Sequence, residues 1–246
     1  MSSPEISLAQ AIEALRDLSS GPDSLPSEFY YLGPSEDLTR AEVSRVIFKI
    51  EKTFCKNSSA ELEFWLGISL RNYTIWFLRG EERAPVLRRA ADHLEKAYAG
   101  CCGQSQAGVS RRSIALELGL LLMDEPEVLD KEKGTSYLKE AYLGTDEYDP
   151  RLCRYAEALL DSGDNLGAAK TAIELLKMAK RSDRWKGKVQ LQMLDIASKA
   201  CHSEAKGCEK SEDIGQAISF LQRLLAMRSD LDDKDLDPSG QTVSRA

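Results

Sequence analysis

Two stretches decide the fold: HLEKAYAG at residues 93–100 and YLKEAYLG at residues 137–144. They are near copies, 44 residues apart. In each, a large residue is followed three and four places on by Ala and Tyr: Leu94, Ala97, Tyr98 and Leu138, Ala141, Tyr142. That spacing puts all three on one face of a helix. Four places before each leucine stands a small residue, Ala90 or Gly134. The register returns at Ala168, Ala172, Leu175, Leu176 and at Ala217, Leu221, Leu224, Leu225. The intervals from Leu94 to Leu138 to Ala172 to Leu221 are 44, 34 and 49 residues. Recurrence on that scale marks a chain built from stacked units.

The helix before each of these carries its own register. A small residue recurs at Gly67, Gly119, Ala156 and Ala197, preceded by Leu66, Leu118, Tyr155 and Ile196. Three places after it come Leu70, Leu122, Leu159 and Ala200. Antiparallel helices approach closely only where one offers almost no side chain, and large neighbours fill the flanking grooves. A hairpin of this kind leaves an apolar face uncovered, so the next hairpin stacks on it.

Outward from these registers, almost every long segment has the 3.6-residue period. The spacing predicts helices at 5–18, 39–55, 59–79, 83–99, 110–123, 131–143, 150–162, 165–180, 186–204 and 213–228. Thr39 with Glu42 three residues on is a capping box. No segment alternates as a strand does. The expected fold is all-α, about ten helices in antiparallel hairpins. Residues 1–58 are expected to pack on the stack, 59–228 to form the repeat domain, and 229–246 to be a disordered acidic tail, too poor in apolar groups to offset ordering. The stretch GPDSLPSEFYYLGPSED punctuates residues 21–37 as a loop with an apolar centre, Phe29 to Leu32. That centre either packs across an open end of the stack or lies in its groove.

These residues resemble the tetratricopeptide repeat and its relative, the Sel-like repeat, over residues 60–228. RYAEALLDSGDNLGAAKTAIELLKMA (154–179) is similar to a tetratricopeptide repeat, with Gly163-Asp164 at its turn. IALELGLLLMDEPEVLDKEKGTSYLKEAYLG (114–144) is similar to the Sel-like variant, with its longer hairpin loop. The resemblance implies an α-α superhelix whose first helices line a concave groove. The groove positions it implies are Phe64, Ile68 and Arg71, then Leu116, Leu120 and Met123, then Cys153 and Glu157, with Leu194, Ser198, Leu160 and Cys201 beyond. That row is apolar. It lacks the Lys and Asn with which related co-chaperones grip a C-terminal carboxylate, and suits an amphipathic helix or extended apolar segment. The groove is either open to such a segment or filled by the chain itself, through the 20–38 loop or an end helix.

Composition removes much else. Among 246 residues the charge is −7, there are six Cys and only two His. An acidic balance disfavours a general nucleic-acid binder. The sequence contains no phosphate-cradling glycine loop, no G-x-S-x-G elbow and no H-E-x-x-H. His93 is expected on a helix flank, satisfied there, and His202 near a helix end. Cys101 and Cys102 are adjacent in a loop, and Cys201 and Cys208 are seven apart, neither being zinc spacing. Cys55, Cys153 and Cys201 read as small buried hydrophobes. Asp233, Asp235 and Asp237 mimic the start of a calcium loop, but Pro238 and Ser244 replace its essential Gly and Glu. No metal and no cofactor is expected. A basic cluster, Lys177, Lys180, Arg181, Arg184, Lys186 and Lys188 around Trp185, is either a helix C-terminus suited to cations or a dock for an acidic partner.

The N-terminus has no basic region followed by an apolar one, and no stretch is long and apolar enough to span a bilayer, so a cytoplasmic location is expected. The expected function is a non-enzymatic protein–protein interaction module: an adaptor, a scaffold or a small chaperone. The alternatives are an enzyme with an unrecognised site on the helical stack, a helical repeat associated with nucleic acid, and a self-assembling structural module.

Overall fold

The computed structural model describes residues 7–19, 39–56, 58–101, 109–143, 145, 148–181 and 188–207. Among the described residues there are nine α-helices and no strand: α1 (Leu8–Ser19), α2 (Arg40–Phe54), α3 (Ala60–Phe77), α4 (Arg83–Gly100), α5 (Arg111–Asp124), α6 (Lys131–Leu143), α7 (Cys153–Asp161), α8 (Asn165–Arg181) and α9 (Lys188–Gly207). The all-α expectation holds. The main shift is at the predicted helix 150–162, where Pro150–Leu152 forms a 3₁₀ turn and α7 begins at Cys153. The predicted helix 213–228, the loop 20–38 and the tail 229–246 lie outside the described residues.

Sequence fixes several helix starts through side-chain caps. Thr39 and Glu42 make the reciprocal capping box at α2. Ser59 accepts from the Leu62 amide ahead of α3, and Ser110 from the Ser113 amide ahead of α5. Each satisfies an amide that the first helical turn leaves without a partner.

The chain divides into two compact units, Met1–Ala141 and Tyr142–Ala246. The division falls inside the span 59–228. In the first unit, α3 is the axle: α1, α2, α4 and α5 all pack on it, and Leu62 to Thr74 is buried almost without a break. Its buried residues include polar ones, Glu63, Ser69, Arg71, Asn72 and Thr74, among the apolar. Ala11 and Leu15 of α1 and Val43, Ile47 and Ile50 of α2 enter the same core as Leu62, Leu66 and Leu70 of α3, Leu87 and Leu94 of α4, and Leu118 of α5.

Two helix crossings in this unit are near replicas. A Cβ placed on Gly67 would stand 2.6 Å from Leu94 Cγ, 2.9 Å from its Cδ2 and 3.1 Å from the Ala90 carbonyl. A Cβ on Gly119 would stand 2.7 Å from Leu138 Cγ, 2.9 Å from its Cδ2 and 3.1 Å from the Gly134 carbonyl. In both hairpins a leucine of the second helix occupies the space that the glycine leaves. Met123 does the same for Gly134, its Cγ 2.8 Å from the Cβ position.

Contacts between successive hairpins also repeat. Arg40, the first residue of α2, donates to Glu82 in the α3–α4 turn at 2.9 Å. Arg83, the first residue of α4, donates to Glu125 at 2.5 Å and Glu127 at 2.7 Å around the α5–α6 turn. The Tyr98 hydroxyl donates to Glu140 of α6, and Arg111 stacks over the Tyr98 ring at 3.9 Å.

The second unit also buries small residues on its helices. Ala156 of α7, Ala168 and Ala172 of α8, and Ala197 and Ala200 of α9 are all fully buried. The Tyr142 hydroxyl donates to Glu174 of α8. Between α7 and α8, Gly163 has φ +85°, open only to glycine at little cost. Its amide bonds to the Leu160 carbonyl at 3.1 Å and that of Asp164 to Leu159 at 2.9 Å, which closes α7. Asp164 Oδ1 then accepts from the Gly167 amide at 2.9 Å and opens α8.

Candidate functional site

The implied groove row is largely buried. Phe64, Ile68 and Arg71 of α3 and Leu116, Leu120 and Met123 of α5 are all buried, with 4–7% of their surface left. Met123 is turned into the α5–α6 crossing against Gly134, a close approach that the small residue invites. Arg71 is taken up by an ion pair, its Nη1 donating to Glu117 Oε2 of α5 at 3.2 Å. In the second unit Cys153 and Glu157 are half-buried. Glu157 accepts from Arg154 at 2.9 Å and from Gln192 of α9 at 3.0 Å. Burial first, and the Glu157 charge second, push the Cys153 thiol up to about 12. Of the groove positions beyond, Leu194 and Leu160 are half-buried, Ser198 is exposed and Cys201 is buried.

Of the basic cluster, Lys177 is exposed on α8. Arg184, Trp185 and Lys186 lie outside the described residues, as do the side chains of Lys180, Arg181 and Lys188. Cys55 departs from expectation: it sits just past the end of α2 and is exposed, because the apolar face of α2 ends with Phe54. Cys101 is buried at the C-terminal cap of α4, and Cys102 and Cys208 lie outside the described residues. His202 is exposed, well inside α9. Among the described residues no group of three or more His, Cys, Asp or Glu could hold a metal ion, and no helix is long and apolar enough to cross a membrane.

The polar chemistry gathers instead around His93. Arg89, His93 and Lys96 lie on one face of α4 at positions i, i+4 and i+7. The ring of His93 is buried and held on both sides. Its Nδ1 stands 2.5 Å from Glu63 Oε2, in the first turn of α3. Its Nε2 stands 3.1 Å from Glu51 Oε1, in the last turn of α2. Arg89 donates to both oxygens of Glu51. A cavity of about 190 Å³ opens beside this cluster, lined also by Phe54, Cys55, Leu66, Asp92 and Lys96.

Electrostatics follow from the contacts. Burial works to lower the His93 pKa, but the bonds to Glu51 and Glu63 outweigh it and hold the ring above its ordinary range. Glu51 is held below the ordinary carboxylate range, chiefly by the His93 bond and then by Arg89. Burial pushes Glu63 up, yet its bonds with His93 and Ser58 leave it lowered. Two ionised carboxylates facing two ring nitrogens favour the doubly protonated ring, the imidazolium. In that state it has no lone pair with which to take a proton, attack a carbon or bind a metal. The sequence places His93 on a satisfied flank, but residues 51, 63 and 93 share no motif, so only the folding of three helices together reveals their union.

Compared with known proteins, the chain matches no family model, and no curated protein or solved structure is significantly similar to it.

Proposed function

We propose that this chain is a non-enzymatic protein–protein interaction module, a stack of helical hairpins akin to tetratricopeptide and Sel-like repeats. Its partner is an apolar or amphipathic segment of another protein. The observation that carries the proposal is the matched pair of crossings, Gly67 under Leu94 and Gly119 under Leu138. The repeated ties from Arg40 and Arg83 to the next acidic turn add to it. Hairpins replicated this closely make a ribbon of parallel first helices, a platform suited to a long segment. The row Phe64, Ile68, Leu116 and Leu120 has the right chemistry but stands buried, so a segment that docks there has first to open it. Affinity is then reduced by the fraction of molecules in the open form.

The test is capture on the immobilised full chain followed by cross-link mapping. A specific protein retained through cross-links to α3 and α5 supports the proposal. Retention of none, or cross-links only to other helices, contradicts it.

The enzyme alternative draws on Glu51, Glu63 and His93. Against it weighs the engagement of both ring nitrogens. Turnover that survives Ile68→Arg and is lost in His93→Gln would favour it.

A further inference from the structure

We propose that His93 is a pH-sensitive latch that ties α2 to the α3–α4 hairpin when both ring nitrogens carry protons and loosens α2 when one is lost. Three helices meet at this one ring: Glu51 comes from α2, Glu63 from α3 and His93 itself from α4. Among the described residues that line the adjacent cavity, the other charged or titratable groups are Cys55 beyond α2 and Arg89, Asp92 and Lys96 on α4. Arg89 also ties Glu51 of α2 to α4, and what sets His93 apart is that one ring reaches both Glu51 of α2 and Glu63 of α3.

A neutral imidazole has one donor and one lone pair. It can keep one carboxylate partner but turns a lone pair on the other. Glu51 has a second donor in Arg89, so of the two carboxylates it is the one that can better spare the proton on Nε2. When it leaves, Glu51 retains Arg89, and α2 keeps its apolar contacts through Val43, Ile47 and Ile50. The helix is therefore loosened, not ejected. The cavity beside the ring leaves room for the Glu51 carboxylate to turn away and take water.

Linkage sets the size of the effect. A group whose pKa is higher in the closed form stabilises that form fully below its open-form pKa, and the gain is lost as pH rises through the closed-form value. If the open form has the ordinary value of about 6.5, each unit by which the closed form exceeds it raises the α2 opening constant about tenfold at high pH.

The chain has two histidines, His93 and His202, so ring-nitrogen NMR of the full-length protein reads both directly. Amide exchange between pH 6 and 10, corrected for the intrinsic rate, reads α2 opening. His93 is expected doubly protonated below a midpoint above about 6.5. The α2 amides should lose protection through that midpoint by the factor its elevation dictates, while α5 stays protected. In His93→Gln the dependence disappears. If that variant does not fold, Glu51→Gln provides the comparison: the His93 midpoint falls and the α2 dependence vanishes. A His93 that titrates at or below about 6.5, α2 protection that is flat through the titration, or an equal loss in α2 and α5 overturns the proposal.

Discussion

Gly119→Ala is the perturbation that most sharply separates a crossing glycine from an ordinary helical one. At an open helix site the change stabilises by about 1 kcal/mol, because alanine has the better propensity. At Gly119 the new methyl would stand 2.7 Å from Leu138 Cγ, and Leu138 is fully buried, so it has to shift within the core. Overpacking of this kind costs about 1–3 kcal/mol. The balance is a loss of up to about 2 kcal/mol. In a Leu138→Ala background, itself about 2–5 kcal/mol less stable, the obstruction is gone. There the same Gly119→Ala should stabilise, limited only by the Gly134 carbonyl at 3.1 Å. Trp65 and Trp76 lie on α3 in the same unit, so denaturant titration followed by their fluorescence reads all four proteins. The sign reversal is the result to look for, with a coupling of about 1–3 kcal/mol. Gly119→Ala that stabilises the parent, or has the same effect in both backgrounds, would show that the leucine does not fill the glycine's space. Gly67→Ala with Leu94→Ala should reproduce the cycle.

Other outcomes follow from single residues. Gly163→Ala should cost about 1–2 kcal/mol through its positive φ alone, since no atom lies within 4 Å of the new methyl, and Gly163→Asn should cost less; denaturation midpoints decide. Cys153, half-buried and with its thiol pushed up by burial, should be alkylated at pH 8 far more slowly than exposed Cys55, as read by site-resolved mass spectrometry. Glu51 and Glu63 are both lowered, so what they add to stability is full above about pH 4.3 and falls as acid takes the pH through their depressed values. Glu63→Gln should flatten that acid limb of a melting-temperature profile, and an unchanged limb would mean that Glu63 is not paired in solution.

How far the sequence could be read depended on what each residue's partner was. Gly67, Gly119, Ala156 and Ala197 stood out because a crossing needs a small residue at a fixed step from Leu70 or Leu122, and that constraint is local and periodic. The capping box at Thr39 was legible for the same reason. The burial of Phe64, Ile68, Leu116 and Leu120 was not, since an apolar residue on a first helix looks the same whether it faces a groove or a neighbour. Met123 is a case in point: its place against Gly134 depends on how α5 rotates about its axis. The His93 cluster was hidden most completely. Its partners lie 42 and 30 residues away and become neighbours only through the packing of α2, α3 and α4.

If replicated glycine crossings hold the hairpins together, nuclear Overhauser contacts across them will be strong. In the full chain with labelled leucine methyls, the α-protons of Gly67 should give strong cross-peaks to Leu94 and those of Gly119 to Leu138. Either pair silent, while other leucine methyls of the core show their expected contacts, would contradict the account.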